Sequence, residues 1–108
     1  MPSSGYTYLC PFDVLEEGVP RRFEVEGVAL SLVLTEKELF AIHDVCSHSA
    51  VSLSEGEVDG CTVECWLHGS RFDLRTGHPL DPPATRPVPV YPVQIEDGCI
   101  YAHLAPRD

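Results

Sequence analysis

Cys46-Ser47-His48 and Cys65-Trp66-Leu67-His68-Gly69-Ser70 are the two stretches on which the reading of this chain turns. Sixteen residues lie between His48 and Cys65, and among them Asp59-Gly60 separates Glu57-Val58 from Cys61-Thr62-Val63. That dipeptide predicts a two-residue hairpin turn in which glycine accepts a positive φ. A hairpin of this length can bring the two flanking loops side by side at one tip. Each loop then supplies one cysteine and one histidine.

Two cysteines and two histidines could hold zinc tetrahedrally. Zinc fingers usually pair Cys with Cys in one knuckle and His with His in the other, whereas each loop here is mixed. Mixed pairing suits a binuclear iron–sulfur cluster in which one iron takes both cysteines and the other both histidines. That ligation is the established one of Rieske centres rather than a consequence of the spacing. C-x-H and C-x-x-H are weak patterns singly. Together, at this separation and followed by Gly69-Ser70, they are specific.

The rest of the chain reads as β-structure. Ten prolines and eight glycines leave little room for long helices. The apolar runs are short and rich in Val, Ile, Leu, Tyr and Phe. They predict strands near 6–9, 20–26, 29–35, 38–43, 56–59, 61–64, 71–74, 88–96 and 99–104. A second hairpin turn falls at Asp97-Gly98, and Phe12 to Glu17 can form one helical turn. The expected class is all-β, a sandwich or small barrel. With 108 residues and 44% hydrophobic content, the chain has material for one core and one domain. Asp44 to Ser54 and Cys65 to Ser70 do not fit strands, and Pro79 to Pro87 is proline-rich and stiff.

At this point the sequence resembles the Rieske ferredoxin family. The resemblance rests on Cys46, His48, Cys65 and His68, on Cys65-Trp66-Leu67-His68-Gly69-Ser70-Arg71-Phe72-Asp73, and on Asp81-Pro82-Pro83-Ala84. It implies a β-sandwich with a small cluster-binding subdomain, about residues 44–87, on a larger β base. It also implies one [2Fe–2S] cluster, with Cys46 and Cys65 on the buried iron and His48 and His68 on the outer iron. In the oxidised cluster, two ferric ions and two sulfides leave +2, which two thiolates cancel. An electron added to a neutral centre costs less than one added to a four-Cys cluster. Rieske potentials accordingly run from roughly −150 to +300 mV, against about −400 mV for four-Cys ferredoxins.

Departures within the family narrow the expectation. Quinol-oxidising Rieske proteins carry an extra cysteine in each loop, joined as a disulfide. Val51 and Leu67 stand at the matching positions here. Those proteins also carry a Ser and a Tyr that donate hydrogen bonds to cluster sulfurs. Ser70 keeps the first, and Phe72 replaces the second. Hydrogen bonds to sulfur stabilise the reduced state, so the potential is expected in the lower half of the Rieske range.

The resemblance is nearest to the ferredoxin components of bacterial ring-hydroxylating dioxygenases, of the phenylpropionate or cinnamate kind. It implies a soluble one-electron carrier between a flavoprotein reductase and a terminal non-haem iron oxygenase. An oxygenase itself needs a mononuclear iron on two histidines and a carboxylate, plus a substrate pocket, for which no room remains. An accessory role in iron–sulfur cluster assembly or redox sensing is the alternative.

Net charge is −10, from seven Lys+Arg against 17 Asp+Glu, which disfavours nucleic acid as a partner. An acidic surface either serves solubility or steers the chain toward basic partners. Met1 to Cys10 has no Lys or Arg and no long apolar run, and no stretch approaches a membrane span. The expectations are a cytoplasmic monomer with no membrane contact.

Other residues have plainer readings. Cys10, Cys61 and Cys99 fall in or beside predicted strands and read as buried thiols, with a regulatory role open to any that is exposed. His43, His78 and His103 read as surface or strand-end residues, and Tyr91 and Tyr101 as core. Glu55, Glu57, Asp59 and Glu64 read as solvated. Trp66 is either a lid that dries the cluster or an aromatic contact for a partner. Pro83 and its neighbours read as a rigid wall over the cluster.

Overall fold

A computed structural model describes residues 5–46, 51–67, 69–82 and 84–104. Ten strands run through them. They are β1 (Tyr6–Pro11), β2 (Arg21–Val25), β3 (Val28–Thr35), β4 (Glu38–His43), β5 (Glu57–Asp59), β6 (Thr62–Glu64), β7 (Arg71–Asp73), β8 (Val90–Tyr91), β9 (Val93–Glu96) and β10 (Cys99–His103). Helical structure among the described residues is limited to single 3-10 turns at Phe12–Val14 and Leu53–Glu55. The expected turn at 12–17 is therefore present but shorter, and the class is all-β.

The strands form three antiparallel sheets, ordered β1-β10-β9, β2-β3-β4-β8 and β5-β6-β7. The first two make the base and the third carries the loop of Cys65. Central strand β3 is buried on both faces: Leu30, Ser31, Leu32 and Val33 are all inaccessible. Side chains alternate along a strand, so β3 and β4 feed two separate cores. Leu30, Leu32 and Ala41 pack with Cys10, Tyr91 and Ile100 in the base. Val33, Phe40 and Ile42 point the other way and pack with Cys46, Val63, Cys65, Phe72 and Leu74. The β3–β4 hairpin is thus the shared wall between base and cluster-binding sheet.

Two sequence expectations change. The run 88–96 is not one strand. Val90 and Tyr91 pair with Ile42 and Ala41 of β4, while β9 pairs with β10 in the other sheet. Pro92 sits at the break, has no N–H for either ladder, and accepts the His103 N–H through its carbonyl at 2.9 Å. The second change concerns the β5–β6 hairpin, in which Asp59 pairs with Thr62. The two loop residues are therefore Gly60 and Cys61, one position later than expected. Gly60 takes φ +58°, as the first central residue of a II′-type turn does. The turn at Asp97-Gly98 falls where expected, between paired Glu96 and Cys99.

Candidate metal centre

Cys46 lies just beyond β4 and Cys65 directly follows β6. Each opens a loop closed by the same bond. The Cys46 N–H donates to the Val51 carbonyl at 3.0 Å, and the Cys65 N–H donates to the Ser70 carbonyl at 2.7 Å. Both spans run from residue i to i+5. His48 and His68 fall inside these two spans by number and lie outside the described residues, as does Pro83.

The two cysteines are 4% and 1% exposed and belong to one apolar cluster. None of the five cysteines forms a disulfide. Two buried sulfurs at the roots of neighbouring loops fit a cluster that takes both as thiolates. A bare thiolate in an apolar core is costly, and ferric iron bound there would supply the compensating charge. Among the described residues no group of three or more His, Cys, Asp or Glu could hold a metal ion. The two sulfurs are therefore the part of the expected donor set found there.

Side chains around the loops hold them in place. Ser70 is buried, and its hydroxyl accepts the Ala84 N–H at 3.1 Å. Among the described residues its own proton has no acceptor. Phe72, fully buried, packs in the cluster that holds both cysteines. Arg71 grips Asp81 through Nε at 2.6 Å and a second guanidinium nitrogen at 3.1 Å. That hydrogen-bonded guanidinium holds the Asp81 carboxyl below its usual range. Leu80 N–H donates to the Arg71 carbonyl, and Phe72 bridges Pro79. The proline segment is thereby tied along β7, just beyond the second loop.

Asp44 is the residue that sequence reasoning missed. It stood only as the edge of a loop, one of 17 acids. It is 1% exposed and receives Arg22 Nε at 3.0 Å, the Ser52 hydroxyl, and the Ser54 N–H at 2.9 Å. No periodicity or motif in the sequence marks it, since Arg22 lies on a different strand.

The remaining expectations sort cleanly. Glu55, Glu57, Asp59, Glu64 and His78 are exposed. Cys10 is buried, and burial raises its thiol pKa. Cys61 and Cys99 are only half-buried, because Cys61 sits in the turn and Cys99 faces outward at the start of β10. Tyr91 is core and lies 3.4 Å from His43 Nδ1 through its hydroxyl. Tyr101 is not core: it stacks edge-on against exposed Tyr8 on the outer face of its sheet. Trp66 is 52% exposed and its neighbour Leu67 42%, while Leu80, tied to Arg71 just after the loop, is 49% exposed. That exposure leaves an aromatic and aliphatic surface at the loop tip, more than a sealed lid does.

Residues 5–92 match the family described as Rieske [2Fe–2S] domain. Over 98 residues the chain is 43% identical to the ferredoxin component of the p-cumate 2,3-dioxygenase system of Pseudomonas putida, covering 89% of this chain and 83% of that one. It is also 43% identical over 98 residues to the 3-phenylpropionate/cinnamic acid dioxygenase ferredoxin subunit of Escherichia coli (strain K12), covering 90% and 92%. Among solved structures, a chain from the complex of reduced oxygenase and oxidized ferredoxin in carbazole 1,9a-dioxygenase matches with TM-score 0.90 at 30% identity, covering 98% of this chain and 99% of that one.

Proposed function

Because this chain belongs to the Rieske [2Fe–2S] domain family, and is an electron carrier rather than a catalyst of substrate chemistry, we propose that it delivers electrons from a flavoprotein reductase to a terminal ring-hydroxylating oxygenase. One [2Fe–2S] cluster supplies the one-electron chemistry when bound. Cys46 and Cys65 hold its buried iron, and His48 and His68 the outer one. The cluster-binding part runs from about 44 to 87 within a single domain. The chain works as a monomer in the cytoplasm, without nucleic acid or membrane partners. Among the described residues no helix is long and apolar enough to cross a membrane.

The observation that carries this reading is the pair of loops, each rooted on a buried cysteine and closed by the same backbone bond. The chain's own residues perform three tasks. The apolar cluster around Cys46 and Cys65 excludes water from the sulfurs. Ser70, whose carbonyl takes the Cys65 N–H, brings a buried hydroxyl to the second loop. Trp66, Leu67 and Leu80 leave the tip apolar for short-range contact with a partner. Oxygenase service is favoured over cluster assembly because the relatives matched along most of their length are named as dioxygenase ferredoxins.

Metal analysis tests the reading directly. Purified protein should hold about two irons and two acid-labile sulfides per chain. Reduction should give the paramagnetic signal of a one-electron-reduced iron–sulfur centre. Stoichiometric zinc without acid-labile sulfide would sink it.

A further inference from the structure

We propose that Asp44 is a positioning residue for the cluster, holding the stem of the first ligand loop in register and tying it to the base sheet. The proposal rests on the cluster reading above. Asp44 precedes Cys46 by two positions, and nearly all of its surface is buried. Its backbone N–H donates to Ala29 of β3 at 3.1 Å, and its carbonyl accepts the Leu53 N–H. Between these, Val45 and Ser52 form an antiparallel bridge. One carboxylate oxygen accepts the Ser52 hydroxyl and the Arg22 Nε–H, and the other accepts the Ser54 N–H. Asp44 thus grips both strands of the stem from which the 46–51 loop springs. Arg22 sits opposite Ser31 on β2, so the grip extends to the base.

The second loop has a counterpart. Arg71 follows Ser70, which closes that loop, and its guanidinium clamps Asp81. One Arg–Asp pair thus stands at the stem of each loop. The two differ in setting: Asp44 is buried, whereas Asp81 is one-third exposed. A buried charge-assisted network is costly to leave half-made. Loss of one partner should therefore loosen the loop that carries Cys46 and His48, while the apolar core beneath stays formed.

Arg22→Gln and Ser52→Ala test this by removing one partner each while the Asp44 carboxylate stays in place. Wild-type iron and sulfide content is measured first, and a chain without them ends the cluster reading itself. With the cluster present, both variants should broaden or shift the reduced paramagnetic signal. Both should also release iron to a chelator about tenfold faster, the factor expected for one charge-assisted hydrogen bond. Ser52→Thr, which keeps the hydroxyl, should restore wild-type behaviour. A lowered thermal midpoint with unchanged signal and release rate would reduce Asp44 to an ordinary structural anchor and overturn the proposal. Asp44→Asn separates position from charge. A pure field effect shifts the potential oppositely in Asp44→Asn and Arg22→Gln and leaves both spectra intact, which also overturns it. Lost positioning disturbs both spectra in the same sense.

Discussion

Phe72 decides more than its apolar character suggests. It is fully buried in the cluster that contains both cysteines, so a hydroxyl added there lands among apolar groups and sulfur. Such a hydroxyl has a strong incentive to donate to whatever acceptor is near. Phe72→Tyr should therefore raise the potential, and protein-film voltammetry showing no rise would place the ring away from the sulfurs. His68→Cys should act in the opposite direction. It adds a negative ligand, and the reduced state becomes harder to reach; a higher potential in any variant that still assembles a cluster would contradict the charge argument. Gly56 carries a different constraint. A Cβ there would collide with the backbone carbonyl oxygen of Glu64, the residue before Cys65. Backbone cannot yield as a flexible side chain does, so Gly56→Ala should destabilise the protein by about 1–3 kcal/mol. An unchanged thermal unfolding midpoint would show that the β5–β6 end adjusts freely.

At the scale of elements, the proline segment is held along β7 by Arg71 and Asp81, by the Leu80 N–H and by the Ser70–Ala84 bond. The sign of the pH effect follows from the lowered Asp81 pKa. Its hydrogen bond from Arg71 is the leading cause. The stabilisation it brings is complete above the ordinary carboxylate range. It fades as pH falls below about 4 and is gone once the folded-state group is protonated. The pair is exposed, so the effect is local. Arg71→Gln should return the Asp81 carboxyl toward its ordinary value, as followed by carboxyl-carbon NMR titration, and an unmoved titration would deny the clamp. The same scale holds the clearest misreading of the sequence. Residues 88–96 read as one apolar run, yet the chain changes sheets at Pro92. An apolar run does not report pairing: Tyr91 before the break is buried and Ile95 after it is exposed, and which neighbour each half pairs with is a long-range matter.

Across the whole molecule, an acidic carrier with an apolar tip separates long-range steering from short-range contact. Net charge is −10, while Trp66, Leu67 and Leu80 offer exposed apolar surface beside the second ligand loop. Charges screened by salt lose their reach within about 10 Å at 0.1 M, so higher ionic strength should lower the second-order rate with a basic partner face. Trp66→Ala should slow electron transfer to the oxygenase or from the reductase more than it shifts the potential. Stopped-flow rates indifferent to both salt and Trp66 would put the docking surface elsewhere.

The sequence by itself determined the local chemistry: the Cys46 and Cys65 loops, the turn at Asp97-Gly98, and most strand positions. Those features depend on residues near one another in the chain, and on short apolar runs that need no partner to be visible. Tertiary structure decided what depends on distant partners. It made β3 and β4 a wall between two cores, moved the β5–β6 turn to Gly60-Cys61, and sent β8 and β9 to different sheets. It also buried Asp44 under Arg22 and Ser52. An acid reads as solvated until the fold brings a guanidinium from another strand to it, and only that pairing makes its burial affordable.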